Sequence, residues 1–212
     1  MSEEDTTLSQ GLQRSLVELT VAFDATVEAF ARALEMREGE PLGHTHQVTE
    51  VTVNLSKAMG VALPEQAHLR RGALLHDIGK MGIPESVLKK EAELTRSEWA
   101  LIRQHPQLAY DLLFPIVFLH PAIDIPYCHH ERWDGTGYPQ GLKGEKIPLS
   151  ARIFSVVDVW DALTSDRPQR KAWPEPQVMT YLLDQAGRQF DPAVVETFLK
   201  AKIRKKVTKP LV

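Results

Sequence analysis

Apolar residues in this chain return at steps of three and four, and hardly anywhere at steps of two. Between residues 8 and 36, Leu12, Leu16, Leu19, Phe23, Val27, Phe30 and Leu34 draw one continuous seam. That is the period of an amphipathic helix, not of a half-buried strand. A seam of nearly three heptads has two uses. It packs onto its own domain, or it pairs with a second copy as a short coiled coil.

The same period recurs downstream. Val48, Val51, Leu55 and Met59 form a stripe ending at Gly60, a residue suited to closing a helix. Pro64 fits the first turn of a helix running to about Ile78, with Ala67, Leu74 and Leu75 toward a core. TRSE at 95–98 is a capping box that opens a helix through Gln104, before Pro106. SARIFSVVDVWDAL, from Ser150, reads as a buried helix. PEPQVMTYLLDQAG ends at Gly187, and Asp191-Pro192 caps and starts a last helix toward Lys202. No alternating stretch exceeds three residues, so the expected fold is all-α. Its one irregular stretch is 131–149, rich in Gly and Pro.

Composition narrows the function classes. With 43% hydrophobic and 25% charged residues in 212, the chain is an ordinary globular one. A net charge of −3 lacks the basic surplus of a nucleic-acid binder. From Lys200 onward there are six Lys or Arg and no acid. We read this as a solvated terminus rather than a polyanion-binding arm. The single cysteine, Cys128, excludes an internal disulfide and fits a reducing compartment. The opening MSEEDTTLSQ is unlike a signal peptide, and the longest apolar run, 112–119, is too short to span a bilayer. A cytoplasmic protein with no membrane insertion is expected.

Chemistry gathers in apolar surroundings. His76-Asp77 falls in LLHDIGK, read as a buried helix. His105 closes the next helix, His129-His130 precede the glycine-rich loop, and Asp158 interrupts FSVVDVWDAL. His44 opens the Val48 helix, with Glu40 four residues earlier. Each alone has a plain explanation as a cap, a solvated side chain or an ion-pair partner. Five His and two Asp on five separate elements are harder to bury one by one. Each would cost several kcal/mol unless partnered, and divalent cations partner all of them together. Imidazole mixed with carboxylate, without thiolate, favours Fe, Mn, Ni or Zn in an open catalytic site. Cys128 is read as a small buried hydrophobe rather than a ligand. The adjacent imidazoles of His129 and His130 point apart, so they serve two metals, or two positions on one, better than they chelate together.

These segments also carry a resemblance. GH at 43–44, LLHDIGKMGIP at 74–84, RQHP at 103–106, HHERWDGTGYPQGLKG at 129–144, IPLSARIFSVVDVWDALTSDRP at 147–168 and FDP at 190–192 are similar to the HD-GYP family. This is the branch of the HD phosphohydrolases whose enzymes hydrolyse cyclic di-GMP, and the similarity runs from about Phe23 to Leu199. It implies a helical bundle of the HD-domain type, with a long amino-terminal helix and a Gly/Pro-rich GYP loop. Residues 1–36 would be a linker or dimerisation helix, 37–203 the catalytic domain and 204–212 a basic tail.

Position by position, the resemblance implies metal ligation by His44, His76, Asp77, His105, His129, His130 and Asp158, with Asp77 bridging. Glu40 stands where three-metal members carry an additional ligand. Two or three divalent transition ions are implied, Fe or Mn ahead of Ni or Zn. Lys80 matches the active-site lysine, catalytic together with Asp77 and also touching substrate. Gly137, Tyr138, Pro139, Arg167 and Arg170 would contact the substrate, the arginines through its phosphates. The implied reaction is hydrolysis of cyclic di-GMP to linear pGpG, with GMP after a second turnover, in a protein able to form a homodimer.

Alternatives stay open at this point. One is a non-catalytic HD-GYP signalling module, and another is a phosphohydrolase of a different cyclic dinucleotide or nucleotide. Arg167 and Arg170, three apart, would face one way on a helical turn, or else form an exposed basic turn with Asp166 or Glu175. The glycines of 135–144 either let the loop bring Tyr138 against a bulky dinucleotide or merely connect. Gln47, Gln169, Ala109 and KKEAELT at 89–95 depart from the usual family pattern, none at a ligand position.

Overall fold

A computed structural model of the chain describes residues 3–166 and 170–201. Among them are ten α-helices: α1 (Glu3–Glu38), α2 (His44–Ala58), α3 (Leu63–Leu74), α4 (Glu85–Leu88), α5 (Arg96–Ile102), α6 (His105–Leu113), α7 (Asp124–Cys128), α8 (Leu149–Thr164), α9 (Glu175–Asp184) and α10 (Pro192–Lys200). Short 3₁₀ turns lie at Ile78–Gly82, Val117–Ala122 and Gly144–Lys146. No strand forms among the described residues; a lone bridge pairs Ala186 with Phe190. The fold is all-α, as the periodicity requires.

Two apolar clusters hold it together. The larger joins Val48, Val51 and Leu55 of α2 to Phe154, Val156 and Val157 of α8, and to residues of α3, α9 and α10. α8 is buried around most of its circumference, which explains its largely apolar sequence. The hydroxyls buried in α2 donate back to its own carbonyls, Thr49 to Thr45 at 2.8 Å and Thr52 to Val48 at 2.8 Å. They therefore enter the core without an unsatisfied donor. The smaller cluster joins Val27 and Ala31 of α1 to Leu74, Leu75, Ala109 and Leu113.

α1 divides its seam. Val27, Ala31 and Leu34 are buried against the fold, whereas Leu12, Leu16 and Leu19 are 60%, 64% and 66% exposed. Packing on the own domain therefore accounts for the second half of the helix and leaves the first half projecting. The division expected at 36/37 falls inside α1. The tail from 204 lies outside the described residues. Among the described residues no helix is long and apolar enough to cross a membrane.

Two boundaries differ from the sequence reading, and both shape the site. The helix opened by Pro64 ends at Leu74 rather than near Ile78, so His76 and Asp77 lie on a turn and not on a helix. Gly79 and Gly82 disfavour continuing the α-helix there. Gly79 is also needed for contact, since a Cβ on it would lie 1.9 Å from the carbonyl oxygen of His105. His105, in turn, opens α6 instead of closing α5. Pro106 explains this, because its missing N–H costs nothing in a first turn. The capping box at Thr95 and Glu98 forms as expected, though its helix stops at Ile102.

Candidate metal centre and substrate cavity

Because α3 stops at Leu74, the next residues leave helical geometry and aim inward. Asp77 becomes the hub. Its Oδ2 lies 3.0 Å from His76 Nε2 and 2.7 Å from Lys80 Nζ, and its Oδ1 lies 3.2 Å from His105 Nε2 and 3.7 Å from His129 Nε2. One ligand atom from each of Asp77, His105, His129 and His130 falls within 4.8 Å of the others.

The imidazoles are held from behind. Nδ1–H of His76 donates to Ala73 O at 2.9 Å, that of His105 to Ile102 O at 2.8 Å, and that of His129 to Ile125 O at 3.0 Å. Carbonyls only accept, so in the neutral rings each Nε2 carries a bare lone pair. Yet Nε2 of His105 and Nε2 of His129 lie 3.3 Å apart, both side chains almost completely buried. Two lone pairs at that distance repel unless a cation lies beside them. The donor set fits a divalent transition metal, with neutral imidazoles fixed in one tautomer and a carboxylate between them.

Charge around the hub is strongly perturbed. Burial opposes the charge of Asp77, but the neighbouring His76 and Lys80 hold its carboxyl well below the usual range. Burial likewise disfavours imidazolium at His76, and the Asp77 carboxylate overcomes it, raising the ring to about 9. Burial pushes His129 and His130 down, the latter helped by the charges of His129 and His105. Lys80 is raised despite burial, because Asp77 and Glu38 flank it, Glu38 Oε1 lying 2.9 Å away.

A second group lies beside the first. His44 begins α2, with Nε2 3.2 Å from Asp161 Oδ2 and 3.6 Å from Glu40 Oε2. The Glu35 carboxylate fixes this corner, accepting from the N–H of Gly43 at 2.9 Å and of Thr45 at 2.7 Å, one residue either side of His44.

All eight residues expected to ligate metal, Glu40, His44, His76, Asp77, His105, His129, His130 and Asp158, line a single cavity of about 280 Å³. Lys80 and Tyr138 line it too. The Tyr138 ring stacks on His130, with centroids 4.8 Å apart and planes at 24°. Gly137 permits this. A Cβ there would lie 2.3 Å from Arg132 N and 2.5 Å from Glu131 Cα, so only glycine fits against the residue that follows the histidines. Glu131, buried, binds the loop down by accepting from the N–H of Gln140 at 2.7 Å and of Leu142 at 2.9 Å. Gly137 and Pro139 support Tyr138 and do not line the cavity.

α8 ends at Thr164, and Ser165 is extended at φ −105°, ψ 142°, so the helix does not continue into Ser165. The Arg170 guanidinium donates to Ala162 O and to Leu163 O, the latter at 3.5 Å, and lies 5.6 Å over the Trp173 ring. It closes the carbonyl end of α8. Asp166 takes Lys171 as its partner at 3.2 Å. Arg167 lies outside the described residues. Cys128 is buried away from the cavity, and burial pushes its thiol up to about 12.

Sequence reasoning missed Glu35, Glu38, Asp161 and Glu131. A signal existed for three of them. Glu35 and Glu38 continue the core-facing register of Val27, Ala31 and Leu34, where a carboxylate has no place without a partner. Asp161 repeats one turn after Asp158 on an otherwise apolar helix.

Comparison with known proteins gives the family. A protein-family model described as the HD domain matches residues 28–194. The cyclic di-GMP phosphodiesterase response regulator RpfG of Xanthomonas campestris pv. campestris (strain 8004) is 39% identical over 197 residues, covering 92% of this chain and 52% of that protein. The 3'3'-cGAMP-specific phosphodiesterase 2 of Vibrio cholerae is 35% identical over 187 residues, covering 87% of this chain and 36% of that protein. The chain thus spans about half the length, or less, of these curated relatives. Among solved structures, the V. cholerae cyclic GMP-AMP-specific phosphodiesterase V-cGAP3 matches with a TM-score of 0.63 at 22% identity, covering 82% of this chain and 47% of that one. That likeness concerns the fold alone. With His76-Asp77 at the hub and Tyr138 of Gly137-Tyr138-Pro139 in the cavity wall, the chain belongs to the HD-domain family, in its HD-GYP branch.

Proposed function

We propose that this chain is a metal-dependent phosphodiesterase that hydrolyses cyclic di-GMP to linear pGpG, with GMP after a second turnover. The observation that carries the reading is the pair of Nε2 atoms, His105 and His129, 3.3 Å apart beside Asp77 in a cavity open to a ligand. His44, His76, His105, His129, His130, Asp77 and Asp158 would hold two ions, and Glu40 a third. When bound, such ions lower the pKa of a water toward neutrality and neutralise phosphoryl oxygens.

The chain's own groups supply the rest. Asp77 fixes the imidazoles around one point and would be among the residues that hold the ions. Lys80, held by Asp77 and Glu38, directs an ammonium at the cavity, where it meets charge developing on the phosphoryl group. Tyr138, backed by His130, closes one wall against water. The intact set of candidate ligands argues against a non-catalytic module. Cysteine usage fits a reducing, cytoplasmic setting, and the exposed Leu12, Leu16 and Leu19 fit a second copy of α1 as partner.

A second substrate reading, 3'3'-cGAMP, is favoured by the V. cholerae relative named for that activity. Parallel incubations of Mn- or Fe-loaded protein with both cyclic dinucleotides, with and without chelator, test the reading. Linear product from cyclic di-GMP, abolished by chelator, is expected. Turnover of 3'3'-cGAMP alone would shift the assignment to the second substrate, and turnover of neither would end it.

A further inference from the structure

α5 is a helix without a single buried residue, yet it forms part of the cavity wall. Trp99 and Ile102 face the cavity, and Trp99 is 51% exposed. One turn on, Arg103 places its guanidinium 5.5 Å from the Tyr138 ring centroid. Among the described residues no carboxylate lies within ion-pair reach of Arg103. The rim therefore presents an indole face, a cation without an acidic partner among the described residues, and a tyrosine stacked on His130. None of these side chains is required to hold the core.

A purine nucleotide matches that set. Its base offers a flat π-face to an indole, and its phosphate suits a guanidinium fork. Burying the exposed indole against a base also removes apolar surface that the fold leaves in water. We infer that Trp99 is the stacking platform for one purine base of the substrate, with Arg103 beside it meeting the phosphate that is not cleaved. The inference rests on the cyclic dinucleotide reading and assigns the side of the cavity that grips the non-reacting half. Stacking on an indole tolerates any base. Trp99 therefore adds affinity without choosing between guanine and adenine, and cyclic di-GMP and 3'3'-cGAMP should depend on it equally.

Steady-state kinetics on metal-loaded protein test this. Trp99→Ala should raise KM about tenfold or more for both dinucleotides, with kcat within about twofold of wild type. Trp99→Phe should keep most of the affinity, and thermal melting should be unchanged in both variants. Arg103→Ala should raise KM as well, by a factor that shrinks as salt is added. A second readout needs no turnover. Adding pGpG should quench wild-type tryptophan fluorescence, and Trp99→Phe should lose that quench. An unchanged KM for Trp99→Ala, or a quench that persists in Trp99→Phe, would overturn the inference. Wild-type protein that quenches with pGpG but hydrolyses neither cyclic dinucleotide would overturn the functional reading and leave the platform standing.

Discussion

Asp77 accepts from an ammonium and faces three imidazoles, and each contact depends on a chain reversal between Leu74 and His105. Replacing it removes the carboxylate at the hub of the site. Asp77→Ala should abolish hydrolysis and lower bound metal, while the helical circular dichroism stays near wild type. Turnover retained by this variant would place the chemistry elsewhere. At this scale the motif residues were legible because His and Asp in apolar segments demand partners. Asp161 and Glu38 escaped notice because each stands in a helix where acidic residues are ordinarily solvated. Their inward direction follows from packing that a linear pattern shows only in part. The place of Arg170 at the end of α8 was not legible for a different reason. Where α8 would stop depended on Ser165, and the end of a helix fixes what the following side chains can face.

Among the elements, α1 does two jobs along one seam. Its second half is core, and its last turn carries Glu35, which holds the start of α2, and Glu38, which holds Lys80. Its first half has no counterpart in the fold. An isolated helical arm is marginal in water without a packed face. Leu12, Leu16, Leu19 and Phe23 repeat at the steps of a coiled-coil seam. The flanking Ser15, Thr20 and Ala22 bring no like charges into opposition. The full chain should therefore self-associate, and a chain beginning at Ala22, which keeps Val27 and Leu34 in place, should scatter light as a monomer. Equal masses for the two chains, each scaled to its own length, would refute pairing through α1. Helix existence was legible here from periodicity alone. The split of the seam was not, because both halves share one pattern and only tertiary contact tells them apart.

For the whole molecule, the site lies where the two apolar clusters meet. The His76 ring packs 4.8 Å from that of Phe154 in the larger cluster, directly after Leu74 and Leu75 of the smaller. Segments as far apart as Glu40 and Asp158 converge there because α2 and α8 pack side by side. The all-α architecture could be read from the chain, but this convergence could not. It depends on long-range pairing of helices whose surfaces look alike in sequence. The sequence reading inferred the cluster from the cost of burying those groups apart and from resemblance to a family, but not the helix pairing that builds it. We propose that this convergence builds a centre for at least two metal ions that cleaves a cyclic dinucleotide. Titrating Mn or Fe into chelator-stripped protein, while following pGpG release from cyclic di-GMP, tests it directly. No release is expected from the stripped protein, and activity should rise with added ion and saturate only at two or more ions per chain. Activity indifferent to metal, or saturating at one ion or fewer per chain, would contradict it.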